Sequence, residues 1–500
     1  MKKTIKGIIL SLVLLALSVA LCACGGDKTG DGSSITIGIP QDLDSLDPHL
    51  NEAAGTKEIL FNVYEGLVKA DKDGELNPAV ASAVTPSEDG KVYTVTLRDN
   101  VKFHDGSTVT AEDVKFSLER AADDSIASYY ASWFTNVDSI EINDDKTLTI
   151  TLKEADTDFL FNLTAPIMPA KNEDPSKNVI GTGPYKFVSW TPQEEIVLVK
   201  NDDYWGTPAN ITNVTIKIIA DGDTIVTNLN GGSIDFFARL TTAQVDQLND
   251  DFDVYEGTMN LVQALYLNND VEPFNDPKVR QALCYATDRQ GVLDLAFDGK
   301  GTIISSSMFP AFGKYYMEEL NDVYPYDEAK AKELLAEAGY PNGFSFTITV
   351  PSNYQPHVDT AQVLSDQYKK IGIDAKIKLV EWDTWLSDVY TDRKFESTVI
   401  GVDAPSMTAS ALLSRFESSA HNNFINFNSP EYDEVYNKAL ATSDDKTRTE
   451  SFKECEKILT NEAANVYIQD MASFVAINKK YGGYEFYPIY VQDLSKLYVK

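Results

Sequence analysis

Residues 344–380, FSFTITVPSNYQPHVDTAQVLSDQYKKIGIDAKIKLV, contain a strand, a helix and a second strand in succession. Apolar and polar side chains alternate over 344–350, as they do in a half-buried strand. The pattern then predicts a helix over 358–370 and a strand over 377–380. Two strands joined through a helix form a parallel pair by a crossover connection. The stretch therefore predicts an α/β domain in the second half of the chain.

A smaller module precedes this domain. Residues 91–103 and 147–152 alternate with the period of two that indicates strands. Between them, Thr110 and Asp113 form a capping box, in which the hydroxyl and the carboxylate satisfy free backbone N–H groups at the start of a helix. We therefore assign residues 70–177 to a small α+β domain inserted after the first strand and helix.

Other local patterns place elements on both sides of these domains. Glycine and proline make residues 181–185 (GTGPY) a rigid turn, and Asp276 followed by Pro277 starts a helix. Three helices and one strand are predicted from such signals, namely the strand 34–39 and the helices 51–68, 275–294 and 327–338, the last ending at a glycine.

Nine stretches in a fixed order carry further motifs. They are LDSLDPHL (43–50), YEGLVKAD (64–71), VKFHDGSTVTAEDVKFSLER (101–120), GTGPYKF (181–187), NDDYWG (201–206), GGSIDF (231–236), PFNDPKVRQALCYATDR (273–289), YDEAKAKELLAEAGYPNGF (326–344) and FNSPEYDEVYNKAL (427–440). Together they resemble the extracytoplasmic solute-binding proteins of peptide-type ABC transporters, the family 5 oligopeptide, dipeptide and nickel binders. The resemblance covers nearly the whole mature chain.

This resemblance implies an α/β, two-lobed periplasmic-binding-protein-like fold, type II and similar to cluster C, with a small inserted α+β domain. A two-segment hinge joins the lobes, and the ligand is enclosed between them. The implied parts are lobe I (35–69, 178–260 and 475–500), the inserted domain (70–177) and lobe II (261–474), so the chain crosses between lobes near 260 and returns near 475.

The resemblance also implies which residues hold a peptide. Leaving a buried ligand charge unpaired costs several kcal/mol, so the site needs an acid for the ammonium and a base for the carboxylate. Asp403 takes the place of the family's ammonium-binding aspartate, although Ile400 replaces the aromatic residue often found before it. His357 takes the place of the carboxylate anchor, with Arg393 as a second candidate. Apart from the family, Asp403 reads as a turn or helix-cap residue and His357 as a surface histidine.

Four more residues complete the implied site. Tyr130 resembles a tyrosine that reaches the cleft from the inserted domain, and aromatic side chains give broad apolar contact to varied ligands. At helical spacing it would equally suit a core. Gln263, Ala53 and Ala54 are candidates for hydrogen bonds to the ligand backbone. No cofactor is implied.

The N-terminus resembles a bacterial lipoprotein signal. Three lysines precede an apolar run over 8–21, which is shorter than the ~20 residues of a membrane-spanning helix. The LCACG motif resembles a lipobox, so we expect residues 1–23 to be removed, Cys24 to carry a diacylglyceryl group, and residues 24–34 to form a flexible tether. Cleavage after Ala20 is the alternative and gives a secreted protein without lipid. The lipobox interpretation places the protein on the outer face of the cytoplasmic membrane.

Composition excludes several other classes. The net charge of −33 repels polyanions, so no nucleic-acid partner is expected. The four histidines stand far apart, so no metal site is expected.

Cys284 and Cys455 lie in helical patterns that suit buried thiols, with a disulfide between them as the alternative. No G-x-S-x-G elbow, P-loop or Cys/His nucleophile pair is present, which argues against an enzyme.

We therefore expect the substrate-binding component of an ABC importer. Such a protein, expected here as a monomer, captures oligopeptides or dipeptides by closing its lobes and delivers them to a membrane permease. Two alternatives stay open from the sequence. The fold also carries metal chelates, opines and oligosaccharides, and a surface peptide sensor or adhesin would keep the same features.

Overall fold

The computed structural model describes residues 33–51, 53–156, 158–404, 407–442, 444–489 and 491–500. The expected signal peptide and Cys24 lie outside the described residues, and so does most of the expected tether.

The first large sheet has seven strands and mixes parallel and antiparallel pairs. Its central strand, Ser34–Ile39, pairs in parallel with Asn213–Ile218 and with Phe236–Leu240. The strand predicted over 34–39 is therefore confirmed. The strands in spatial order are Phe252–Thr258, Ala472–Asn478, Phe236–Leu240, Ser34–Ile39, Asn213–Ile218, Glu195–Lys200 and Tyr185–Thr191.

The second large sheet has six strands and contains the predicted crossover unit. Ser345–Pro351 pairs in parallel with Asp374–Val380, and the helix Gln355–Lys369 connects them. The strand–helix–strand prediction is thus confirmed, with the second strand longer than expected. The strands in spatial order are Thr302–Ile303, Asn465–Asp470, Leu261–Leu267, Ser397–Asp403, Ser345–Pro351 and Asp374–Val380.

A smaller antiparallel sheet has its own hydrophobic core, in which Val95, Val114 and Ile150 are fully buried. Its helix Ala111–Ala121 begins at Thr110, whose hydroxyl and the Asp113 carboxylate form the predicted capping box. The strands in spatial order are Ala81–Pro86, Val92–Leu97, Thr147–Leu152 and Val137–Asp144, with the hairpin Val68–Ala70 and Leu76–Pro78 beside them.

Helices cover both faces of the second large sheet and flank the first. The remaining α-helices are Ala54–Leu60, Phe159–Asn162, Ile225–Asn230, Thr242–Val245, Pro277–Ala286, Arg289–Ala296, Glu328–Glu337, Trp382–Thr384, Ala409–Leu413, Pro430–Leu440 and Asp445–Asn461. Shorter elements are the 3-10 turns Asp124–Ile126, Ala131–Phe134, Gly222–Thr224, Pro310–Tyr315, Glu318–Asp322, Ser414–Phe416 and Leu494–Lys496, the π-helical turn Trp385–Thr391 and the strand pair Tyr481–Gly482 and Tyr498–Val499.

Two predicted helices differ from the observed ones. The helix expected over 275–294 is two helices, because Thr287 adopts an extended backbone and Asp288 caps a new helix by accepting from the N–H of Gly291. The helix expected over 51–68 covers only Ala54–Leu60. The two cysteines, Cys284 and Cys455, are buried free thiols and form no disulfide.

The chain passes twice between the two large sheets. It leaves the first sheet after Thr258, enters the second at Leu261, and returns through Met471. The return therefore lies before the expected position near 475, because the whole strand Ala472–Asn478 pairs with the first sheet. Below, lobe I and lobe II denote the parts built on the first and second large sheets, and the inserted domain is the part built on the small sheet.

Candidate functional site

A cavity of about 390 Å³ lies where lobe I, lobe II and the inserted domain meet. Its lining includes both residues of the first crossing, Met259 and Asn260, so the cavity reaches the hinge. The side chains used below are Lys57, Phe61, Glu65 and Lys69 of lobe I, Tyr129, Tyr130, Trp133 and Phe161 of the inserted domain, and Asp403 and Arg415 of lobe II.

One wall of the cavity is aromatic. Tyr130 packs edge-on against Tyr129 and Trp133, with ring centroids 5.1 and 4.8 Å apart, and Trp133 continues to Phe161 at 5.2 Å. Tyr130 is only 8% exposed, and burial raises the pKa of its hydroxyl. The wall therefore presents ring edges and faces to the cavity rather than a charged phenolate. Tyr130 lines the cavity from the inserted domain, and its contact with a ligand stays a prediction.

Asp403 brings a carboxylate from lobe II to the cavity. It ends the buried strand Ser397–Asp403, and its own side chain is exposed to the cavity. Within the described residues this carboxylate has no hydrogen bond or ion pair. Burial raises the pKa of the Tyr129 hydroxyl, and the charge of Asp403 adds to that effect, which places the carboxylate near the aromatic wall.

Arg415 is a functional candidate that the sequence reasoning missed. It lies in the 3-10 turn Ser414–Phe416 of lobe II, half-buried at the cavity. No ion pair of its guanidinium is found among the described residues, and its buried Nε has no hydrogen-bond partner there. A cation in this state is suited to an anionic ligand group. None of the nine family stretches covers this segment, so only the folded chain brings it to the same cavity as Asp403.

Lobe I adds a second charged group of residues. The Lys57 ammonium lies 3.1 Å from the centre of the Tyr129 ring. Lys69 lies over Phe61 and 3.6 Å from Glu65. Glu65 is buried, and its oxygens accept hydrogen bonds from three side chains, namely Tyr204, Trp205 and Thr182. The charge of Lys69 therefore offsets that of Glu65, and Glu65 has a structural role.

Comparison with known proteins assigns this architecture. The family described as "Bacterial extracellular solute-binding proteins, family 5 Middle" matches residues 75–424. The chain belongs to this family. It is 29% identical over 473 residues to the "Glutathione-binding protein GsiB" of Shigella flexneri serotype 5b, covering 90% of this chain and 91% of that protein.

Two solved structures of solute-binding proteins share the whole fold. The ABC transporter substrate-binding protein CtaP of Listeria monocytogenes superposes with a TM-score of 0.86 at 27% identity, covering 94% of this chain and 99% of that one. DppA of Helicobacter pylori, solved with the peptide STSA, gives 0.77 at 29% identity, covering 94% and 98%. The expected two-lobed α/β fold is confirmed.

The family assignment fixes the coarse function. The protein is the extracytoplasmic substrate-binding component of an ABC importer and works with permease subunits. Its relatives are solute-binding proteins and not enzymes. In the part of the chain that the structure describes, no helix combines the length and apolar character needed to cross a bilayer, and no cluster of three or more His, Cys, Asp or Glu side chains could hold a metal.

Two candidates of this family 5 chain lie inside lobe II and not at the cavity. His357 is only 5% exposed, its Nε2 accepts from the N–H of Gly401 at 3.2 Å, and its Nδ1 lies 2.9 Å from the side-chain amide of Gln263. Gln263 is fully buried and also accepts from Gln469 at 2.8 Å. Burial lowers the pKa of His357 to about 4. A neutral, enclosed imidazole cannot serve as the cationic anchor predicted for it.

Arg393 and Ala53 are also engaged elsewhere, whereas a ligand contact of Ala54 stays a prediction. Arg393 donates to Asn426 at 2.9 Å and to the carbonyl of His421 at 3.0 Å, beside a separate polar pocket of lobe II. The N–H of Ala53 donates to Asp44 at 2.8 Å, and its carbonyl accepts from the first turn of the following helix. Ala54 is the first residue of that helix. The backbone of Ala53 therefore has no free group to offer a ligand.

His357 provides a first testable prediction. His357→Leu leaves the Gly401 N–H without its acceptor and removes one of the two partners of the Gln263 side-chain N–H group, and a buried group left unsatisfied costs about 1–3 kcal/mol. We expect urea unfolding to show a lower free energy of unfolding, and calorimetry on the folded variant to show ligand affinity within about threefold of the original. A tenfold loss of affinity at unchanged stability would instead support a ligand contact.

Proposed function

We propose that this family 5 protein binds short peptides, with the ligand ammonium at Asp403 and the ligand carboxylate at Arg415. One observation carries the proposal. Asp403 and Arg415, which carry opposite charges, line the same cavity, and neither forms an ion pair among the described residues. A zwitterion bound there would satisfy both groups, which offsets the cost of removing its charges from water. The aromatic wall around Tyr130 suits side chains of varied size.

The comparisons support the same ligand class. One similar structure holds the peptide STSA, and one similar protein is named for glutathione, itself a peptide. Binding would close the lobes over the ligand, since only contacts made better in the closed state shift the population toward it. The permease would then receive the closed complex.

An anionic peptide such as glutathione is the second candidate. The described charged side chains that line the cavity include three cations, Lys57, Lys69 and Arg415, and two carboxylates, Glu65 and Asp403. The excess of positive charge favours a ligand with one ammonium and two carboxylates. Lys57, which lies against the aromatic wall, is positioned for the second carboxylate.

Blocked peptides test the proposal directly. Calorimetry should compare the tetrapeptide STSA, its N-acetyl form, its C-terminal amide and reduced glutathione, after native mass spectrometry has identified any co-purified ligand. We expect each blocked form to bind at least about 30-fold more weakly than the free peptide, because each lacks one charge. Equal binding of the blocked forms, or a co-purified sugar or metal chelate, would contradict the proposal.

We further propose that Cys24 carries the lipid that holds the protein at the membrane. The LCACG motif supports this anchor, and two acyl chains suffice for stable attachment. Intact-mass measurement on protein from the membrane fraction should give a diacylglyceryl-modified N-terminus at Cys24. A mature chain that begins at Leu21 without lipid would contradict it. The mature protein is proposed to act as a monomer.

A further inference from the structure

The inserted domain contacts lobe II directly through Asp158. This residue immediately precedes the helix Phe159–Asn162. One of its carboxylate oxygens accepts a hydrogen bond from Arg448 at 3.1 Å, and the other accepts from the hydroxyl of Ser410. Arg448 and Ser410 belong to two different helices of lobe II. The side chains of Arg448 and Asp158 are 13% and 19% exposed, so the pair is largely shielded from solvent.

This contact adjoins the cavity without lining it. Phe161, in the helix that follows Asp158, reaches the cavity, and so does Arg415, which follows the helix of Ser410. The covalent crossing of the first hinge segment, Met259 and Asn260, also lines the cavity. A covalent hinge segment thus lines the cavity, and a noncovalent contact between the inserted domain and lobe II lies beside it.

We propose that Asp158 and Arg448 form a closure latch, a pair of positioning residues that sets ligand affinity without touching the ligand. The two side chains come from parts that separate when the lobes open, so their attraction belongs to the closed state alone. An interaction confined to one state shifts the equilibrium toward that state, and ligand affinity rises in proportion when the closed state is the minor one.

The surroundings of Arg448 fit a contact that opens and re-forms. Its second guanidinium nitrogen also pairs with Asp445 at 3.2 Å, and Asp445 in turn pairs with Lys314 at 2.5 Å. All three residues belong to lobe II, so this network can hold the guanidinium in place after Asp158 has moved away. Preorganisation of one partner reduces the entropy lost each time the latch closes.

The test measures closure in the ligand-free protein. Spin labels at Asp202→Cys in lobe I and Lys376→Cys in lobe II, both at exposed positions, report the distance between the lobes by double electron–electron resonance. We expect Asp158→Asn to lower the closed-to-open ratio about tenfold, an effect between those of exposed and buried ion pairs. The affinity for a bound peptide should fall by the same factor through faster dissociation.

Companion variants separate a latch from a structural role. Arg448→Gln should reproduce the effect, and the double variant should be no worse than either single one. Ser410→Ala should act in the same direction but less strongly. Glu154→Gln is the matched control, since its partner Lys91 lies in the same domain, and it should leave the ratio unchanged. An unchanged ratio in Asp158→Asn overturns the latch whatever the ligand is, because this measurement needs no ligand.

Discussion

Asp403→Asn and Arg415→Gln are each expected to weaken STSA binding by at least about 100-fold. Removing one partner of a desolvated charge pair costs about 2–5 kcal/mol, because the ligand charge is left buried without compensation. Asn and Gln keep most of the shape of the original side chains, so the loss reports charge. Calorimetry at pH 7 measures the affinity, and the melting temperature without ligand should hardly change because neither side chain has an ion pair in the described residues.

Blocked ligands assign each charge to its partner. Asp403→Asn should bind N-acetyl-STSA and free STSA about equally, and Arg415→Gln should no longer distinguish the acid from the amide. Asp383→Asn and Arg393→Gln serve as matched controls in lobe II, since neither residue lines the cavity, and both should bind normally. If Arg393→Gln abolished binding while Arg415→Gln did not, the carboxylate anchor would be Arg393, as the family resemblance allowed.

Local signals predicted most of the fold. The capping box at Thr110, the cap at Asp276 and the strand over 344–350 were each predicted from neighbours in sequence, and all three appear in the structure, although the strand is buried on both faces from Ile348 onward. The break at Thr287 was missed because the apolar pattern continues across it. The cap that causes the break could have been recognised, because Asp288 precedes a helical segment just as Asp276 does.

The site was less predictable because burial depends on the whole fold. His357 occupies a plausible sequence position, yet the helix that carries it turns the ring toward Gln263 inside lobe II. Arg415 lies twelve residues after Asp403 in the chain, but no local sequence pattern predicts that both side chains line one cavity. Asp403 and Tyr130 could be assigned to the cleft only through the family resemblance, since an isolated aspartate after a strand or a tyrosine at helical spacing has many structural uses.

A buried carboxyl group beside the hinge should make the free energy of unfolding depend on pH. Asp470 ends the last strand of lobe II, directly before the crossing at Met471, and is 1% exposed. One oxygen accepts from the N–H of Leu261 at 3.2 Å, and the other has no partner among the described residues. Burial raises the pKa of Asp470 to about 7, although the N–H of Leu261, together with the nearby N–H groups of Asn260 and Met259, favours the charged form.

The sign of the effect follows from this raised pKa. The folded protein holds the Asp470 proton more tightly than the unfolded chain, so the stabilising contribution is complete below the ordinary pKa of 3.8 and is lost as pH rises through about 7. Each unit of pKa difference corresponds to about 1.4 kcal/mol, which gives a loss of a few kcal/mol by pH 8. Asp470→Asn keeps an acceptor for Leu261 and removes the charge.

We therefore expect Asp470→Asn to be more stable than the original protein at pH 8, by about 2–4 kcal/mol, and equal to it near pH 4. Urea unfolding at several pH values measures this, and the difference between the two proteins isolates Asp470 from other groups that titrate in both. Asp383→Asn, at an exposed position of the same lobe, should show no such difference. A variant that is less stable at pH 8 would mean that the hinge N–H groups stabilise the carboxylate more than burial penalises it.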